Sequence, residues 1–413
     1  MWSPRFPAPC KWRGDGRPGD VTRTPPPGPK VGAPAAYLSA FVVLGIGMSI
    51  LGPSLRRLAD MTGSAEATLG ILFTTASVGY LVGITVGGRL IVRHSGHAIL
   101  VGGLLTMAVG AAAVPFAPDV VTLVVAQFAL GLATGLVEVP CNSLILWTHG
   151  GGALINALHA CWSIGAVIAP LLVGGSIAAT GGLRSAYLIA AALTLLPVLA
   201  LRGHRSPANP HHEVGHGIPD GSRALVALGA LFYVAYIGIE AGFTGWIYTF
   251  AEDRGFGGST ATLLGAAFLG TFTAGRLVSI PLAVRVDPLR VLVIDHVIVF
   301  VGLGFLLVSG RNAALIWTGT VVLGIGLASL FGSMLTLSER HVPSTSTVTS
   351  VYFGGLSLGG MILPATIGVL IAGFGSTSLP AVCTVAAVIT LGCVLAFDRA
   401  GHRRAARVGS ARA

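Results

Sequence analysis

Between Ala33 and Phe397 the chain alternates apolar runs of about twenty residues with short polar breaks. A run of that length, coiled as a helix, spans the ~30 Å hydrocarbon core of a bilayer. Twelve runs are found, at 33–53, 67–90, 97–117, 120–146, 153–179, 183–201, 223–250, 259–284, 289–309, 313–335, 345–373 and 376–397. The longest internal break, 202–222, holds Arg202, His204, Arg205, His211, His212 and His216 among Pro and Gly, and it separates six runs from six. The pattern predicts an all-α membrane protein of twelve transmembrane helices in two pseudo-symmetric six-helix bundles, 33–201 and 223–397. A cytoplasmic linker at 202–222 joins them, with tails at 1–32 and 398–413.

Composition removes the soluble alternatives. The 413 residues are 53% hydrophobic and 10% charged, against roughly 25% charged in an ordinary soluble domain. Fifty-nine glycines also suit membrane helices better than soluble ones. Soluble enzymes, disordered scaffolds and disulfide-stapled secreted domains are thereby excluded. Of five cysteines, Cys141, Cys161, Cys383 and Cys393 lie in apolar runs and Cys10 in the polar tail, without a CxxC or metal-ligand spacing along the chain.

The net charge of +10 would suit nucleic acid, so the positions of the cations decide. Short cytoplasmic connections retain Lys and Arg. With the N-terminus inside, one face collects 20 of the 25 basic residues: six in the tail, then Arg89, Arg93, Arg202, Arg205, Arg223, Arg276, Arg285, Arg290, Arg340 and the five arginines after Phe397. Only Arg56, Arg57, Arg184, Arg254 and Arg311 fall on the other. Both termini are therefore expected in the cytoplasm of a multi-pass protein, placed in the plasma membrane, with lipid rather than nucleic acid around it. Residues 1–32 read as a disordered basic tail, with a misassigned start as the alternative.

The halves repeat one another. Gly83-Ile-Thr-Val-Gly87-Gly88-Arg89-Leu90 ends the second run, and Gly270-Thr-Phe-Thr-Ala274-Gly275-Arg276-Leu277 lies in the eighth. Ser163-x-Gly165, Pro170 and Gly174 in the fifth recur at identical spacing as Ser357-x-Gly359, Pro364 and Gly368 in the eleventh. A six-helix unit used twice is a common transporter design.

With these features the chain resembles the major facilitator superfamily. The signature loop after helix two corresponds here to Gly88-Arg89-Leu90-Ile91-Val92-Arg93-His94-Ser95-Gly96, in which Val92 replaces the usual acid. The likeness is closer to the fucose and glucose/galactose permease-like branch, which includes sodium-dependent glucose transporter relatives. It rests on Gly131-x3-Gly135-x2-Glu138-x-Pro140-x-Asn142, on Asn156-x2-His159-x2-Trp162-x2-Gly165, and on Gly238-Ile-Glu240 followed by Gly245-Trp246-Ile-Tyr248. The run-one acid of some members is missing. The resemblance implies alternating access around one central site, with Gly88, Arg89, Arg93 and Arg276 as gate candidates; for Arg89 and Arg276 topology anchors and interhelical bonds are the plainer reading, and Pro170 and Pro364, each with Gly nearby, are expected to bend helices.

Intramembrane carboxylates are rare and functional by default, so Glu138 and Glu240 are the first candidates. Glu138 shares a helix face with Asn142, and Pro140 between them loosens the backbone bonding. It reads as a proton acceptor or as an acceptor for a sugar hydroxyl, with a purely packing glutamate as the plain alternative. Glu240 has Tyr236 and Thr244 on its face. Trp162 and Trp246 are candidate platforms for the C–H faces of a pyranose, although an interfacial anchor is the ordinary role of such a tryptophan. Asn156 and His159 share one face of the fifth run, where a histidine can relay protons or bond a hydroxyl, with a neutral histidine satisfied by a neighbouring helix as the plain alternative. Asp295 and His296 read as structural.

Neither a phosphate loop, zinc-ligand spacing nor a nucleophile elbow occurs in the chain, so an enzyme is not expected and no cofactor is called for. The expectation is a monomeric secondary transporter for a small polar solute, most simply a monosaccharide, with H⁺ as coupling ion and Na⁺ as the lesser alternative. A proton-driven drug or metabolite exporter is the rival, through Gly165, Ala169-Pro170 and Gly174-Gly175. A membrane enzyme or receptor is the other.

Overall fold

The computed structural model describes residues 33–149, 152–207, 217–218, 221–283, 285–343 and 346–410. The expected tail at 1–32 and linker residues 208–216 and 219–220 lie outside them. Among the described residues no β-strand forms. The first half comprises α1 (Pro34–Ser49), α2 (Leu51–Thr62), α3 (Ile71–Ile91), α4 (Gly96–Ala113), α5 (Val120–His149), α6 (Gly152–Thr180), α7 (Arg184–Leu193) and α8 (Leu195–Ala200). The second comprises α9 (Arg223–Glu252), α10 (Gly258–Ala283), α11 (Pro288–Val308), α12 (Ala313–Leu327), α13 (Leu330–His341), α14 (Ser346–Phe374) and α15 (Ser378–Ser410).

Among the described residues ten helices are long and apolar enough to cross a bilayer, the pair α12 and α13 counting as one. The bent pair α1 and α2 is an eleventh, and the shorter apolar stretch Arg184–Ala200 is the twelfth segment. Two breaks within the expected runs have one physical cause. Pro53 cannot donate to the carbonyl of Ser49, the last residue of α1, and its ring crowds that carbonyl, so the helix turns by 46° at Ile50. Pro197 stands in the same relation to Leu193, the last residue of α7, and the break falls at Thr194. By contrast Pro140, Pro170 and Pro364 sit inside uninterrupted helices. The expected tail at 398–413 is helical as far as Ser410, because α15 continues through an Ala- and Arg-rich stretch of good helix formers.

Outward faces are apolar: Val109, Val121, Val278, Val308 and Val369 are 69% to 72% exposed, surface suited to lipid rather than water. Within each half, helices cross at glycines where no side chain intervenes. A Cβ on Gly165 of α6 would lie 1.9 Å from the Val42 carbonyl of α1, and one on Gly359 of α14 would lie 2.1 Å from the Val234 carbonyl of α9. These are the two Ser-x-Gly glycines of the repeat, and the two serines also behave alike. Ser163 and Ser357 each donate to the carbonyl four residues back, both at 3.1 Å.

The halves meet through α2, α3 and α6 on one side and α9, α10 and α14 on the other. Their residue-level approaches cluster at the end remote from the linker. Thr74 donates to the Met361 carbonyl at 3.1 Å, Phe73 packs on Trp246, and Gly52 and Gly174 abut Tyr248 and Thr262. Arg56 pairs with Glu252, and Thr249 donates to Glu66. The polar groups of the central site lie on the linker side of these contacts.

Candidate functional site

The second-half acid is built by two helices. Tyr236 and Glu240 stand one turn apart on α9 and bond to each other. Arg276, on α10, brings its Nη2 to 3.8 Å from Glu240 Oε2 and donates to the Tyr236 hydroxyl at 3.4 Å. The Glu240 side chain is 8% exposed and that of Arg276 26%, and two such charges are tolerated in low dielectric because they neutralise each other. Phe272 lies under the guanidinium at 4.2 Å. Glu240 Oε2 is buried without a hydrogen bond of its own, an acceptor left over for another donor.

The same arginine reaches across to the first half. Its guanidinium stands 5.8 Å from the Trp162 ring of α6 and acts electrostatically on His159 one turn away. Trp162 is half-buried, and its indole N–H donates to Met48 Sδ at 3.4 Å. His159 is exposed and meets the Phe41 ring edge-on, at 5.8 Å between centroids. Glu240, Tyr236, Arg276, Trp162 and His159 thus form one cluster between the halves.

Glu138 belongs to a separate place. It is half-buried on α5, and its carboxylate accepts from the Tyr80 hydroxyl of α3. The pair depends on close approach of those helices: Cβ atoms on Gly83 and Gly135 would strike the facing backbone at 2.3 and 2.4 Å. Among the described residues no cation pairs with Glu138. Asn142 does not reach the carboxylate; its Nδ2 donates to the Glu138 backbone carbonyl at 3.0 Å.

Several expectations are corrected. Trp246, read as a stacking platform, has no open ring face: it is fully buried, donates to the Pro364 carbonyl at 2.8 Å and rests on Gly368. Thr244 sits at the α2–α9 approach, with its carbonyl opposite Gly52. Arg276, taken as the gate counterpart of Arg89, is deeper. It precedes the end of α10 by seven residues whereas Arg89 precedes that of α3 by two, a difference of about 7.5 Å along the helix. Gly88, Arg89 and Arg93 are exposed at the end of α3, and among the described residues neither arginine has an acidic partner. Pro170 and Pro364 are buried within continuous helices. The side chain of Asn156 lies outside the described residues. Asp295 accepts from Ser329, and His296 bonds Leu292 and Thr390.

Sequence reasoning missed Tyr80 and the central place of Arg276. An arginine well inside an apolar run was the available signal for the second. Nothing in local spacing marks Tyr80, since its pairing is across helices.

Comparison with known proteins agrees with this architecture. The model of the Major Facilitator Superfamily matches residues 37–364. The sodium-dependent glucose transporter 1A of Mus musculus is 26% identical over 373 residues, covering 80% of this chain and 88% of that one. The sodium-dependent glucose transporter 1 of Xenopus laevis is 27% identical over 356 residues, with coverage of 78% and 72%. Among solved structures, a bacterial homologue of the human lysosomal transporter Spinster, inward-facing and occupied, superposes with a TM-score of 0.74 at 14% identity, over 90% of this chain and 96% of that one. With its helices, its pseudo-repeat and a match across most of its length, the chain belongs to the Major Facilitator Superfamily.

Proposed function

We propose that the chain is a secondary active transporter that moves a monosaccharide by alternating access between two bodies, 33–201 and 223–397. The observation that carries this reading is the mixed cluster between the halves. Glu240 Oε2 is an unfilled acceptor, Arg276 is a fixed donor, and half-buried Trp162 offers a flat apolar surface. Sugar hydroxyls suit the first two and a pyranose C–H face suits the third. The names of the relatives agree with a sugar substrate.

Glu138 is the coupling carboxylate in this proposal. Among the described residues its one side-chain partner is a tyrosine hydroxyl, which fits neutralisation by a proton better than an oxygen cage for sodium. Sodium is the second reading, favoured by the names of the relatives. Both termini face the cytoplasm of the plasma membrane on the count of basic residues, so the linker-bearing end faces inward.

The test is uptake of labelled monosaccharides into proteoliposomes under an imposed pH or Na⁺ gradient, with Glu240→Gln and Glu138→Gln alongside the wild type. Accumulation driven by the pH gradient and lost in Glu138→Gln is expected. Accumulation on Na⁺ alone transfers the coupling to sodium. Stabilisation of the purified protein by hydrophobic amines but by no sugar overturns the substrate class in favour of an exporter.

A further inference from the structure

At the end of the molecule that carries the linker, His341 closes α13 while Asp398 and His402 stand one turn apart on α15. One nitrogen or oxygen from each lies within 4.8 Å of the other two. No stretch of sequence signals this group, because its members meet only when α13 packs on α15.

The arrangement is built rather than incidental. The imidazole of His341 lies directly over Gly401, where a Cβ would come within 2.5 Å of the ring. Only glycine leaves that space between Asp398 and His402. Phe397, fully buried, meets the His341 ring edge-on at 6.1 Å between centroids, and the His402 ring does so at 5.4 Å. Arg404 donates to the His341 carbonyl at 3.0 Å, which fixes the end of α13. Asp398 Oδ1 and His402 Nε2 are 3.5 Å apart, close to the spacing of about 3.4 Å between two ligands on a tetrahedral ion with bonds of about 2.1 Å. Neighbouring Arg340 is turned to Asp287 at 2.6 Å and so does not occupy the carboxylate. His402 is 73% exposed on its side chain and Asp398 18%, giving an entry from water to a partly sheltered centre.

We propose that His341, Asp398 and His402 bind a divalent transition-metal ion of the zinc type, with water as the fourth ligand. Two imidazoles and one carboxylate suit such an ion and not magnesium or calcium, which prefer oxygen. Bound metal ties α13 to the extension of α15. Both belong to the second half, so the ion braces that half and does not bridge the two.

The test uses the full-length protein in detergent, purified without a polyhistidine tag, with ZnCl₂ and MgCl₂ as probes in calorimetric titration and thermal unfolding. Saturable Zn²⁺ binding that raises the unfolding temperature is expected, with no response to Mg²⁺. His402→Ala and Asp398→Asn should each weaken Zn²⁺ binding at least tenfold while unfolding like the wild type in EDTA. A variant of the linker, with His211, His212 and His216 all changed to Ala, should bind as the wild type does. The proposal fails if Zn²⁺ has no saturable effect, if the two triad variants keep wild-type affinity, or if binding disappears with the linker histidines.

Discussion

Each half of the molecule keeps one carboxylate in a membrane helix beside a tyrosine hydroxyl, yet the two are neutralised differently. Glu240 has Tyr236 on its own helix and Arg276 on the next, so its counter-charge is part of the fold. Glu138 has Tyr80 from the facing helix and, among the described residues, no cation. A buried carboxylate with an inbuilt cation has its charge offset by the fold itself. One without a partner must take a proton or a cation before its surroundings accept it. The packing of the halves is alike at Gly165 and Gly359; their electrostatics are not.

The largest test of that contrast sets Arg276→Ala against Glu138→Gln. Removing Arg276 strands Glu240, and loss of one partner of a buried pair costs about 3 kcal/mol. Thermal unfolding in detergent should therefore show a marked loss of stability, partly restored by the double change with Glu240→Gln. Glu138→Gln retains the tyrosine hydrogen bond and is expected to shift stability by less than about 1 kcal/mol, while gradient-driven accumulation falls at least tenfold. Equal destabilisation by both changes would erase the distinction.

The likeness of the halves is tested next. Gly165→Ala and Gly359→Ala each force a methyl group onto a facing backbone carbonyl, and overpacking of this kind costs about 1–3 kcal/mol. Both should reduce folded yield to a similar degree; a loss confined to one would show that the repeat is not mechanically equivalent.

Smaller effects separate the two tryptophans. Trp246→Phe removes one buried hydrogen bond, about 1 kcal/mol, and should leave solute preference untouched. Trp162→Phe should alter apparent solute affinity with little change in unfolding temperature. The opposite assignment would restore Trp246 as the platform.

The smallest expected effect lies outside the membrane. Asp287 caps α11 and accepts from Arg340 at 2.6 Å, a bond that holds its carboxyl below the usual aspartate range despite an opposing effect of burial. A depressed folded-state value stabilises the protein above the ordinary aspartate pKa, about 3.9, and the contribution is lost as pH falls through the folded value. Asp287→Asn should cost no more than about 1 kcal/mol near neutrality, and the difference from wild type should begin to shrink below about pH 4 and vanish only below the depressed folded-state value. An undiminished difference in acid would discount the ion pair.

The helices, their grouping by six and both carboxylates were legible in the sequence because each rests on a local property: a run of apolar residues, a repeat, or a charge where charge is rare. Partners were not. Tyr80 meets Glu138, and Arg276 meets Glu240, only after helices pack, and packing depends on glycine contacts that spacing alone does not place. Trp246 shows the converse, since a tryptophan after a glycine reads the same whether its ring faces a cavity or another helix. The breaks before Pro53 and Pro197 were readable in principle from the carbonyl each proline leaves unbonded. Apolar content continues smoothly through both, which hides them from a reading of hydrophobicity.

The bend at Ile50 converts angle into distance. Arg56, which pairs with Glu252, lies six residues beyond it, about 9 Å along α2, so a turn of 46° carries its backbone sideways by about 6 Å. Rotating that arm by only about 10° sweeps the arginine through roughly 1.6 Å, a large fraction of an ion pair's working range. A torsional adjustment at a single residue is thus enough to make or break this ion pair between the halves.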